Sequence, residues 1–156
     1  MNKKRIILGI LVILIFTIIF MFSSENGTKS QSVSEGFTMN ILNIFPTTKN
    51  MKKEEKNKIV KKSQFVVRKI AHFTIYLCAG LSVAGFIVTY ENLSTKKKIL
   101  IAFLICFLYA ISDEIHQMFS SGRSPRVFDV FIDSLGSITG ILIIYMNKIK
   151  NKKPKM

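Results

Sequence analysis

The sequence predicts an all-α, polytopic membrane protein: four transmembrane helices in a small bundle. Three observations carry this expectation. Hydrophobic residues make up 49% of the 156-residue chain, and the mean hydropathy is +0.34. They fall into four long blocks rather than periodic faces, the pattern of a chain that crosses hydrocarbon. The 23 Lys and Arg against nine Asp and Glu, net charge +14, lie largely between those blocks. Lysines flanking apolar helices answer to anionic lipid headgroups and to topology. The charge therefore does not point to nucleic acid, and an ordinary cytosolic basic protein is excluded.

The first block, Ile6 to Phe22, follows Lys3, Lys4 and Arg5. Its length of roughly 26 Å is just enough to cross a hydrocarbon core. A cleaved signal peptide shares the basic start, but Phe22-Ser23-Ser24-Glu25 is not a small-x-small cleavage site, so an uncleaved anchor over residues 1–22 is expected. Residues 23–64 read as a polar Ser/Lys-rich loop. Within it Phe37, Ile41, Ile44 and Phe45 recur at near-helical spacing before Pro46, a short amphipathic piece suited to a membrane surface. The run Lys49 to Lys62 also holds Glu54 and Glu55 and reads as a solvated, headgroup-facing helix start.

Three more blocks form a core over residues 65–146. The second, Phe65 to Thr89, opens on Arg68, Lys69 and His72; the third, Ile99 to Ile111, runs into Asp113, Glu114, His116 and Gln117. The fourth, Val127 to Met146, begins with Asp129 and Asp133 and leads into a basic tail over 147–156. Cys78 and Cys106 both sit inside apolar blocks, as small packing residues rather than a disulfide framework.

With the N-terminus in the cytoplasm, eleven basic residues fall inside and twelve outside, nearly a draw. The basic start and dense basic tail favour cytoplasmic termini. One consequence survives either orientation. The start of the second helix, the end of the third and the start of the fourth share one membrane face. Four of the nine acidic residues, both histidines and three of the four arginines, including Arg123 and Arg126, converge there.

Helical spacing sorts this cluster into stripes. Arg68, His72, Tyr76 and Gly80 are four apart; Tyr109, Ser112, Asp113, His116 and Gln117 share a face; Asp129, Asp133, Gly136, Ser137 and Gly140 share another. Gly136 and Gly140 form a small-xxx-small element that admits a close neighbour. Ionisable groups near hydrocarbon are costly, so a cluster of them asks for an explanation. Four readings fit the residue types. The four carboxylates and Arg68, Lys69, Arg123 and Arg126 balance as an ion-pair network. Asp113 and His116, with His72, Asp129 or Asp133, could ligate a metal, although no zincin spacing is present. His116 beside Asp113 or Glu114 could do acid/base work while the arginines grip a phosphate. The same groups could bind a lipid headgroup or lipid-linked precursor without chemistry. Spacing alone leaves cofactor and metal unassigned.

The series Arg68-Lys69-x-x-His72-Phe73-x-x-Tyr76, Asp113-Glu114-x-His116-Gln117-x-Phe119-x-x-x-Arg123 and Asp129-x-x-x-Asp133-x-x-Gly136-x-x-x-Gly140 resembles the VanZ-like family. The likeness spans residues 6–146, and Asp-Glu-x-His-Gln is its most specific part. Asp133 stands where the family as readily carries Asn. The resemblance implies a small bacterial integral membrane protein associated with low-level teicoplanin resistance. Its implied partners are the anionic bilayer and a lipid-linked envelope precursor or a glycopeptide. Carried over position by position, it marks Arg68, His72, Gln117, Arg123, Asp129 and Asp133 as binding residues and Asp113, Glu114 and His116 as candidates for catalysis. The implied function is binding or shielding of an envelope component, with an intramembrane enzyme as the alternative.

Overall fold

The computed structural model describes residues 3–122 and 126–150. Arg123 and the end of the basic tail lie outside them. Six helices follow in order: α1 (Lys3–Ser24), α2 (Gly27–Ile44), α3 (Pro46–Lys49), α4 (Lys53–Val88), α5 (Thr95–Gln117) and α6 (Val127–Lys150). No strand occurs among the described residues. Four of the helices, α1, α4, α5 and α6, are long and apolar enough to cross a membrane.

Side-chain caps mark the start of one span and of the helix that follows the first. Ser94 opens α5 by accepting the Lys97 N–H, and Asn26 opens α2 by accepting the Lys29 N–H at 3.0 Å. At the end of α4, Arg5 reaches across from α1. Its guanidinium donates to the Thr89 carbonyl at 2.8 Å and to Thr89 Oγ1 at 3.1 Å, and lies 4.3 Å from the centre of the Tyr90 ring. A cation on the last carbonyls of a helix complements its dipole. This staple fixes α1 antiparallel to α4.

The region 23–64 is more ordered than a loop. Residues 27–49 form two helices, and α4 starts at Lys53, twelve residues before its apolar block. Over 36 residues α4 measures about 54 Å, nearly twice a hydrocarbon core, so a lysine-rich half stands beyond the apolar part. Glu54 and Glu55 in its first turn favour that start. The α2 helix packs along this half of α4. Lys56 ties the turn together, its ammonium donating to Asn43 Oδ1 at 2.7 Å and to the Lys49 carbonyl at 2.8 Å. Val33, Phe37, Ile41 and Ile44 form an exposed stripe on α2.

Helix α4 is the hub, touching α1, α2, α5 and α6, and its most extensive partner is α6. Glycines set that closeness. A Cβ at Gly136 would stand 2.4 Å from the Phe73 carbonyl oxygen, and one at Gly140 2.3 Å from that of Leu77. Gly80 mirrors them, meeting the Ser137 carbonyl at 2.2 Å. The two backbones are thus in direct contact, as the small-xxx-small element requires. An apolar core of Val83, Ala84, Ala102, Cys106 and Ile141 fills the bundle toward the face where α1 begins. Both cysteines are free.

Candidate functional site

At the other face the core turns polar. The stripe Ala102, Cys106, Ala110, Asp113, Glu114 and Gln117 is the buried side of α5, so a periodic apolar face ends in three polar residues. Tyr76 on α4 and Asp133 and Ser137 on α6 are wholly buried beside it. These residues meet because the glycine contacts bring α4 and α6 together one turn below.

One ion pair and one close imidazole–carboxylate contact join α4 to α6 here. The Lys69 ammonium donates to the Asp129 carboxylate. His72 Nδ1 lies 3.3 Å from Asp133 Oδ1, with no aligned hydrogen bond between them. Glu114 crosses from α5 and accepts the backbone N–H of Arg126 at 3.0 Å. That carboxylate covers the first turn of α6, where free N–H groups and the helix dipole favour an anion. Gln117 donates to Asp113 Oδ2 at 3.1 Å.

What these contacts leave over matters more. His72 Nδ1, the Tyr76 hydroxyl, Glu114 Oε1 and both Asp133 carboxylate oxygens are buried without a hydrogen-bond partner. They are mutual electrostatic neighbours: Asp133 faces His72, Asp113 and Lys69, Glu114 faces Asp133, His72 and Asp113, and Tyr76 faces Asp113 and Asp133. Ser137 does not serve the carboxylate, since its hydroxyl donates to the Asp133 backbone carbonyl at 3.0 Å. A buried polar group without a partner costs about 1–3 kcal/mol, and a charged one more. Five such atoms on three adjoining helices call for hydrogen-bond partners beyond the chain's own side chains.

The sequence-derived residues divide between two places. His72, Asp113, Glu114, Gln117, Asp129 and Asp133 come together at the α4–α5–α6 junction, with Arg68 half-buried one turn above His72. His116 goes elsewhere. Its Nε2 lies 3.0 Å from Ser24 Oγ, and its ring stacks on Phe20 at 4.6 Å. Tyr109, two turns earlier, stacks on Phe16 and donates to its carbonyl at 2.6 Å. The single α5 face read from spacing is thus two faces, Asp113 and Gln117 toward α4 and α6, Tyr109 and His116 toward α1. Arg123 lies outside the described residues.

Sequence reasoning missed Gln64. Both its side-chain polar atoms are buried and unpartnered, one turn above Arg68 and two above His72. Gln64 extends the Arg68–His72–Tyr76 series by one turn, although the polar composition of residues 23–64 reads as loop. No three His, Cys, Asp or Glu side chains among the described residues are grouped to hold a metal ion.

A family model, VanZ/LLP1, matches residues 8–148, nearly the whole chain. The protein belongs to the VanZ/LLP1 family. With four apolar helices of spanning length, it is a VanZ-like membrane protein. No curated protein and no solved structure matches it. The segment Asp113-Glu114-x-His116-Gln117, inside the matched range, serves two seams at once: Glu114 reaches α6 and His116 reaches α1.

Proposed function

We propose that this VanZ-like protein binds the polar head of a lipid-linked component of the bacterial cell envelope in its α4–α5–α6 junction. The observation that carries the reading is Asp133, fully buried, with both carboxylate oxygens unpartnered beside His72 Nδ1 and Glu114 Oε1. Carboxylates presented this way accept hydrogen bonds from hydroxyl, amide or ammonium groups. A sugar or amino-sugar head carries such donors. The junction faces the envelope side, with both termini in the cytoplasm. Occupying or shielding an envelope component there lowers the access of an acylated glycopeptide such as teicoplanin, whose tail brings it to the same membrane depth.

The test is expression in a glycopeptide-sensitive host at matched membrane levels of wild type, Asp133→Asn and His116→Gln. The expected result is a raised inhibitory concentration for teicoplanin and not for vancomycin, lost in Asp133→Asn and kept in His116→Gln. Three strains that behave alike would overturn it.

A second reading rests on the His72–Asp133 pair itself. A carboxylate 3.3 Å from Nδ1 is placed to orient the imidazole, the arrangement of a general base. In that case the junction turns its ligand over. Lipid extracts from cells making wild type would then contain a product that His72→Gln abolishes, detectable by mass spectrometry.

A further inference from the structure

Outside the junction, α4 and α6 border a shallow, open apolar groove of about 290 Å³, lined by Phe65, Val66, Ile70 and Phe73 of α4 and Phe128 and Ile132 of α6. It lies on the N-terminal side of the Gly136 contact, where Phe73 meets α6. From Phe65 to Phe73 it runs about 12 Å, close to the depth of one hydrocarbon leaflet. Lys69 also lines it, but its ammonium is taken by Asp129, so the wall is carbon.

Above the groove the charge is unbalanced. Lys61 and Lys62 are exposed, one turn or less beyond Phe65. The residues three and four positions from Lys62 are Lys58, Ile59, Phe65 and Val66; those around Lys61 are Asn57, Lys58, Gln64 and Phe65. None is acidic, and neither lysine forms an ion pair among the described residues. Two unpaired cations thus stand about 5 Å beyond the end of an apolar slot, at headgroup height.

We infer that this groove is a site for one phospholipid of net negative head charge, its hydrocarbon chain between α4 and α6 and its anionic head on Lys61 and Lys62. Lys69 stands on the boundary. It lines the groove and is an electrostatic neighbour of Glu114 and Asp133. A lipid held there passes its chain, not its head, at the level of His72, about 15 Å from the two lysines. A second apolar groove, between α5 and α6 near Lys96, lies at the opposite membrane face and borders none of the unpartnered junction atoms.

The chain has no tryptophan, so a single reporter can be introduced. Phe128→Trp places an indole on the groove wall at a position 56% exposed, and Leu108→Trp places one on the outer surface of α5, 62% exposed. Full-length protein in phosphatidylcholine vesicles is titrated with brominated-chain phosphatidylglycerol or phosphatidylcholine at equal mole fraction. An anionic head near one lysine gains about fivefold in binding at low salt, so phosphatidylglycerol should quench the Phe128→Trp reporter more strongly. The preference should vanish in Lys61→Glu/Lys62→Glu and be absent at the Leu108→Trp reporter. Equal quenching by the two lipids, or an equal preference at both reporters, overturns the site and leaves only annular lipid. Asp133→Asn should keep the preference. If the preference is absent while resistance still depends on Asp133, the groove inference fails and the junction reading stands. If it is present while resistance ignores Asp133, the lipid site stands and the junction reading fails.

Discussion

The two histidines sit at the same membrane face in opposite conditions. His116, in the seam between α1 and α5, has a hydroxyl partner and a stacked ring, and the seam around it is closed by Tyr109 on Phe16 and Ser120 on the Ser23 carbonyl. His72, in the junction of α4, α5 and α6, faces a carboxylate that has no aligned partner, among four other unpartnered buried atoms. A satisfied seam lowers the energy of the fold. An unsatisfied one raises it, and persists because neighbouring contacts overdetermine the structure. The contrast teaches that titratable residues in one motif need not share one task. Of the Asp-Glu-x-His-Gln element, Asp113, Glu114 and Gln117 build the junction while His116 anchors a helix.

The comparison can be broken most forcefully at the glycines. A side chain at Gly140 would meet the Leu77 carbonyl at 2.3 Å and the Leu81 N–H nitrogen at 2.8 Å, both backbone atoms that cannot yield. Gly140→Leu should separate α4 from α6 and cost about 3 kcal/mol or more. It should destroy the junction and spare the α1–α5 seam. Cys106 is fully buried, so thermal unfolding followed with a thiol-reactive dye in detergent would read the loss.

Asp133 gives the next largest effect, and its sign discriminates. If the carboxylate belonged to a structural ion-pair network, removing it would leave charges unpaired and cost about 3–5 kcal/mol. Because its oxygens are unpartnered, Asp133→Asn should instead keep stability or raise it by about 1–2 kcal/mol while abolishing function. The same dye assay reads the stability, and teicoplanin susceptibility reads the function. A strongly destabilised Asp133→Asn would return the junction to the network reading.

His116→Gln should behave in reverse, losing about 1 kcal/mol from the Ser24 contact and the Phe20 stack and leaving function intact. Thermal unfolding and susceptibility, measured together, check both halves.

How much of this could be read from sequence follows the same division. The four spans were legible because hydrocarbon demands long apolar blocks, and topology alone gathered the polar residues on one face. The close approach of α4 and α6 was legible in Gly136 and Gly140. The split of α5 into two faces was not. Tyr109, Asp113, His116 and Gln117 lie within a wide helical arc, and which edge meets which neighbour depends on where α1 docks. The first half of α2 was hidden for another reason. Its Ser/Thr-rich composition reads as loop, while the Asn26 cap and packing on α4 hold it helical.

The smallest effect is the sharpest probe of the seam. Ser24 is exposed, so water competes for its hydroxyl, and Ser24→Ala should cost about 0.5–1 kcal/mol. The informative quantity is the coupling. In a double-mutant cycle Ser24 and His116 should share most of that amount, since each removes the other's partner, whereas Ser24 and His72 should add independently. Unfolding free energies of the four proteins in each cycle measure this directly. Coupling of Ser24 to His72 as strong as to His116 would mean that seam and junction are one network, and that α1 regulates the site rather than merely bracing it.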